Sequence, residues 1–113
     1  MADLSRIFSA LGDPTRFAIV ETLLTEGDSS AGDLLSVAPI SAPAISRHLK
    51  VLRRAGIVFQ RVDRQRRIYS VNPAAVQAIN AWVEVHRKFW EASLDRLENA
   101  LALEGNKNGG TED

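Results

Sequence analysis

Ser41-Ala42-Pro43-Ala44-Ile45-Ser46-Arg47-His48-Leu49-Lys50-Val51-Leu52-Arg53-Arg54-Ala55-Gly56 is the stretch on which the fold turns. Serine is a favoured N-cap, and a proline just after it sits in the first helical turn, where its missing N–H costs nothing. Ile45, Leu49 and Leu52 recur at intervals of four and three, so they share one helix face and point to a core. The opposite face presents Ala42, Pro43, Ser46, Arg47 and Lys50. Gly56 closes the helix, because glycine tolerates the left-handed conformation found at helix ends. Two extended runs follow, residues 57–62 and 66–71, rich in β-branched and aromatic side chains around Asp63-Arg64-Gln65. They predict a β-hairpin with a strongly basic tip.

Upstream, Leu4, Ile7, Phe8 and Leu11 follow helical spacing, so a first amphipathic helix is expected from about Asp3. Gly12 is expected to end it in a left-handed conformation. Asp13 and Pro14 then begin a second helix, with Phe17, Ile19, Val20, Leu23 and Leu24 as its expected buried stripe. Gly27-Asp28-Ser29-Ser30 reads as a loop, and Ser29 or Ser30 as the cap of a short third helix through Leu34-Leu35. Pro39-Ile40-Ser41 breaks that helix. Downstream, Asn72-Pro73 starts a long final helix with Val76, Ile79, Val83, Trp90, Leu94, Leu97 and Leu101 on one broad face. Three short helices followed by a basic hairpin make a winged helix-turn-helix. The expected fold is mostly α with a small β-hairpin (α+β), about five helices plus a two-stranded wing.

The composition sets bounds on function. A chain of 113 residues fits one domain, and a domain of this size buries roughly two thirds of its unfolded surface. There is no cysteine, so disulfides and thiolate chemistry are excluded. Residues 1–6 lack the basic and apolar runs of a signal peptide. No stretch approaches the roughly 20 apolar residues that span a bilayer, so a soluble cytoplasmic protein with no membrane partner is expected. Two histidines without a nucleophile–base–orienter set leave little from which to build an enzyme.

The net charge of zero conceals a partition. Residues 41–72 hold eight cations and one acid, Asp63, a net +7, so the remaining chain carries −7. Such asymmetry predicts one basic face that meets a polyanion. A helix fits the major groove of DNA, where base pairs display distinct donor and acceptor patterns. Arg47 is placed to contact guanine bidentately, and Ser46 to bond a base or phosphate. Lys50 and Arg54, further along, suit phosphates. Ser41, Ala42, Pro43 and His48 complete the reading helix, His48 being read as structural or phosphate-facing. Arg61, Arg64, Gln65, Arg66 and Arg67 form an electrostatic wing for the backbone or minor groove.

The run Ile45 to Gly56, together with Ala10-Leu11-Gly12-Asp13-Pro14-Thr15-Arg16 and Arg67-Ile68-Tyr69-Ser70-Val71, closely resembles the ArsR family of bacterial repressors. The resemblance covers roughly residues 3–103. It implies a homodimer paired through its first and last helices, sitting on a near-palindromic double-stranded operator and repressing transcription. On that basis residues 1–103 form the DNA-binding and dimerisation domain, and 104–113, polar and glycine-containing, a disordered tail. Leu4, Ile7, Phe8, Trp82, Phe89, Trp90, Leu94 and Leu97 are the expected dimer residues. Two departures stand out. Ala42 replaces the glutamine that family members often carry, which exchanges an adenine-reading amide for a methyl contact to thymine. Arg64 stands where the wing tip often has glycine, which makes a positive φ less comfortable there.

Many relatives sense metals. The family's thiolate site needs cysteine. Its second site pairs an acid-x-histidine, resembled by Glu84-Val85-His86, with ligands about ten residues on, where this chain has Leu97 and Ala100. No metal or cofactor is therefore expected, and His86 is read as a surface or interface histidine. Trp82, Phe89 and Trp90 fit a dimer seam or the wall of an apolar effector pocket, and they resemble the members lacking the metal cysteines. No effector is indicated by the residues. The alternatives are a metal-sensing repressor with a non-cysteine site and a winged-helix protein-interaction module, whose recognition face would be apolar.

Overall fold

The computed structural model describes residues 3–112, with side chains described as far as Gly105. The elements run α1 (Leu4–Leu11), α2 (Pro14–Glu26), β1 (Ser29–Ser30), a 3-10 helix (Asp33–Val37), α3 (Ala42–Arg54), β2 (Val58–Asp63), β3 (Arg66–Val71) and α4 (Pro73–Glu112). The chain divides into two compact units, residues 1–79 and 80–113.

The first unit holds the winged helix-turn-helix. Asp3 and Asp13 cap α1 and α2, their carboxylates accepting from the N–H groups of Arg6 (3.2 Å) and Arg16 (3.0 Å). Gly12 is right-handed helical (φ −70°) rather than left-handed. The break between the helices is instead made at Asp13, whose extended backbone (φ −87°, ψ 130°) starts α2. The expected short third helix is a single 3-10 stretch, so the α-helices number four among the described residues. Ala38, held extended ahead of Pro39 (φ −149°, ψ 153°), ends that stretch after five residues.

The core is assembled from every element of this unit except β1. Ile7 and Ala10 of α1, Ile19, Val20 and Leu23 of α2, Leu34, and Ile45, Leu49 and Leu52 of α3 meet Ile57, Val58, Tyr69 and Ala75. Burying each large aliphatic side chain contributes about 1.5–3 kcal/mol, so α3 is fixed to the fold by three such anchors. Phe17 and Leu24 lie outside the core at 51% and 56% exposure. Both lie beyond Val20 on the side of α2 away from Ile19 and Leu23, so the buried arc ends at Val20 and is narrower than their hydrophobicity suggests.

The sheet has three strands rather than two, in the order β1-β3-β2, all antiparallel. The hairpin aligns Asp63 with Arg66, and β1 adds Ser29 opposite Tyr69 and Ser30 opposite Ile68. Two residues of serine carry no hydrophobic alternation, which is why this strand reads as a loop. Asn72 links three elements. Its N–H donates to Ile57 O (2.8 Å), its Nδ2 to Gly56 O (2.9 Å), and its Oδ1 accepts from Ala74 N–H (3.0 Å) at the start of α4.

In the second unit α4 is helical through Glu112, across the segment expected to be a disordered tail. The side chains from residue 106 onward, and Asp113 altogether, lie outside the described residues. Among the described residues no helix is long and apolar enough to cross a membrane.

Candidate nucleic-acid interface

Ser41 starts α3, its Oγ accepting from Ala44 N–H at 3.3 Å. The end is equally well defined. Gly56 has φ +78°, Gly56 N–H donates to Arg53 O (3.0 Å) and Ile57 N–H to Leu52 O (3.0 Å). That pair of bonds is a Schellman closure, and the left-handed residue it needs favours glycine. With both ends capped and Ile45, Leu49 and Leu52 buried, the opposite face is set. Ser41, Ala42, Pro43, Ser46, Arg47, Lys50 and Arg54 are all exposed. No hydrogen bond or ion pair engages the side chains of Arg47, Lys50, Arg53 or Arg54 among the described residues.

His48 stands apart from that face. It is half-buried, and its Nδ1 accepts from Arg16 Nη1 at 3.3 Å, with Asp13 Oδ2 at 3.8 Å. Arg16 Nε also donates to Ala10 O (2.7 Å), so Arg16 joins the end of α1, the start of α2 and the side of α3. The Asp13 carboxyl is held below its usual range, first by the Arg16 N–H it caps and further by the nearby Arg16 guanidinium.

The wing places Arg61, Arg64, Gln65, Arg66 and Arg67 on its exposed surface. The chain reverses through Arg64 and Gln65, and Arg64 adopts φ +60°. A left-handed residue with a Cβ costs about 1–2 kcal/mol, which is the penalty foreseen for Arg64 at the wing tip. Two of the arginines are shared with carboxylates invisible to the local sequence. Arg61 Nη1 pairs with Asp28 Oδ2 at 2.8 Å and Arg66 Nη2 with Asp33 Oδ2 at 3.6 Å. Asp33 is itself fixed: its Oδ2 accepts from Ser30 N–H (3.2 Å) while its N–H donates to Ser30 Oγ (3.1 Å). Hydrogen bonds from the Ser30 hydroxyl and N–H, with Arg66 nearby, keep its carboxyl below the ordinary range. Arg64 and Arg67 have no such partner among the described residues.

Sequence reasoning left out Arg53, Phe59 and Gln60. With Lys50 and Arg54 they line an open groove of about 450 Å³ between α3 and β2. The Gln60 Oε1 atom is buried, with no hydrogen-bond partner among the described residues. Arg53 stood in the charge count, but its position around the helix, toward β2, emerges only from the packing.

A family model described as a helix-turn-helix domain matches residues 11–61. An ArsR-like transcriptional regulator from Rhodococcus sp. RHA1 is 28% identical and superposes with a TM-score of 0.68, over 86% of this chain and 91% of that one. An HTH-type transcriptional regulator of Mycobacterium tuberculosis, Rv2034, is 37% identical over 88% of this chain and 90% of its own length. The chain belongs to the ArsR family. It is a DNA-binding transcriptional regulator and not an enzyme. The Bacillus subtilis transcriptional repressor SdpR, another relative, is 36% identical over 71% of this chain and 88% of its own length.

For an ArsR-family chain, the residues expected at a subunit interface are placed unevenly. Ile7 is 1% exposed and belongs to the core, so on α1 the accessible candidates are Leu4 and Phe8. Within the second unit Trp82, Phe89, Trp90, Leu94 and Leu97 are exposed. His86 Nδ1 donates to Trp82 O at 2.7 Å, and the two rings lie 4.7 Å apart. Among the described residues no three histidine, aspartate or glutamate side chains gather into a metal-binding group.

Proposed function

We propose that the protein is a cytoplasmic homodimeric repressor whose two α3 helices enter successive major grooves of a near-palindromic operator. The observation that carries this reading is the exposed face of α3, where Ser46, Arg47, Lys50 and Arg54 stand without competing partners. That polar, basic face argues against an apolar protein-docking surface. Ser46 and Arg47 read base edges, while Lys50, Arg54 and the wing hold phosphates.

The dimer is supported by Trp90, Leu94, Leu97 and Leu101, spaced at four, three and four residues and left 55–61% exposed. That spacing is the seam of paired helices, and a solvated row of this kind needs a cover. A second copy of α4 provides it. Half-sites then fall about 34 Å apart, or a multiple of that.

The test is a titration of the full chain with duplex DNA from its own promoter, alongside light scattering. With on the order of 6–10 phosphates neutralised, affinity should fall about 10³–10⁵-fold between 50 and 200 mM salt. Leu97→Glu should give a folded monomer whose operator affinity is lower by about 10²-fold or more, since avidity between half-sites is lost. Salt-insensitive binding refutes the DNA reading, and a Leu97→Glu chain that remains dimeric refutes the seam.

A further inference from the structure

Residues 1–40 contain only two cations, Arg6 and Arg16, against six acids. Both line the same groove. It has a volume of about 370 Å³ between α1 and the C-terminal half of α3, with Ser5, Ser9, Val51 and Arg54 among its walls. Its lining contains no carboxylate. The acids nearest in sequence, Asp3 and Asp13, are turned to the N-termini of α1 and α2 as caps. The side chains of Arg6 and Arg54 have no hydrogen-bond or ion-pair partner among the described residues. Arg16 is half-buried and fixed by Ala10 O and His48.

We propose that this groove is a phosphate-binding site, with Arg6, Arg16 and Arg54 pairing the anion and the Ser5 and Ser9 hydroxyls adding donors. Arg16 has the Asp13 carboxylate nearby, but Arg6 and Arg54 bring two further cations to the groove with no carboxylate to offset them, so an entering anion is favoured. Arg6 and Arg54 each offer a planar fork that matches phosphate oxygens bidentately, while Arg16, held by Ala10 O and His48, adds its remaining Nη2 donors. Ser5 and Ser9 lie four residues apart on α1, so they face the same side. The volume accommodates a phosphate with part of the ester that carries it. That phosphate comes either from the operator backbone, reached through Arg54 at the margin of the reading face, or from a free phosphorylated molecule. Only the first source rests on the DNA-binding reading above.

The full chain is titrated with its promoter duplex at several salt concentrations. Separately it is titrated with inorganic phosphate while the arginine Nε–H signals are followed by NMR. Arg6→Gln is the informative variant, because Arg6 lies outside both α3 and the wing. Arg6→Lys tests retention of charge, and a thermal melt controls for folding. If operator backbone fills the groove, Arg6→Gln makes the salt dependence shallower by about one in slope and Arg6→Lys restores it. If a free phosphate fills it, the slope is unchanged, but inorganic phosphate shifts the Arg16 Nε–H signal saturably and Arg6→Gln weakens that response. An unchanged slope with no phosphate-dependent shift, or with a shift that Arg6→Gln leaves intact, overturns the site. A wild-type chain that fails to bind DNA overturns the DNA reading instead, and the phosphate titration alone then decides the groove.

Discussion

Four cations stand on α3 (Arg47, Lys50, Arg53 and Arg54) and four on the β2–β3 hairpin (Arg61, Arg64, Arg66 and Arg67), but only the hairpin shares its charges with carboxylates. Equal counts therefore give unequal tools. The α3 cations project from a helix capped at both ends and anchored by three buried residues, so the backbone that carries them is set before DNA arrives while their side chains stay free to reach it, which suits base readout. On the wing, Arg61 and Arg66 are already paired with Asp28 and Asp33, which would compete with any phosphate they met. Exposed pairs of this kind are worth about 0–1 kcal/mol, little enough to exchange, yet each lowers the net gain from a phosphate contact. Under the proposed function the wing would thus act as an adaptable backbone clamp whose free charge is Arg64 and Arg67.

The contrast breaks most readily at Arg47. Arg47→Ala should cost about 1–3 kcal/mol on the preferred sequence and relax preference at one base position. Selection from a randomised duplex pool, followed by titration, measures both. Equal losses on preferred and random DNA would place Arg47 among the phosphate contacts and erase the distinction from the wing. A smaller effect sharpens the division within the wing itself. Arg67→Ala should make the salt slope shallower by about one, whereas Arg61→Ala, which removes a cation already held by Asp28, should change it by less. Identical slopes for the two variants would mean the carboxylates do not compete.

Much of this division was legible in the sequence, and the rest was hidden for physical reasons. Ser41, the Ile45–Leu49–Leu52 stripe and Gly56 announce α3 and its outward face, because caps and helical periodicity are local. The hairpin and its turn followed from residue type. What was not legible was long-range. The pairing of Arg61 with Asp28 spans 33 residues, and the approach of Arg6 and Arg16 to Arg54 depends on how α1 packs on α3. Ile7 and Phe8 are adjacent and both apolar, so only packing shows that the first is core and the second surface. Likewise Gly12 looked like a left-handed terminator, but Asp13 makes the break through its own extended backbone.

The smallest expected effect separates the wing's charge from its shape. Arg64 holds φ +60°, and its left-handed backbone, costing about 1–2 kcal/mol for a residue with a Cβ, is offset by no side-chain hydrogen bond or ion pair among the described residues. Glycine removes that strain but is more flexible when unfolded, which returns roughly 0.5–1 kcal/mol. Arg64→Gly should therefore stabilise the fold by up to about 1 kcal/mol while making the salt slope of DNA binding shallower. The two readouts, a thermal melt and a salt titration, move in opposite functional directions. If the melt falls instead, the strain at Arg64 is being offset by an interaction of its side chain. If the slope is unchanged, Arg64 does not meet the backbone, and the wing's free charge reduces to Arg67.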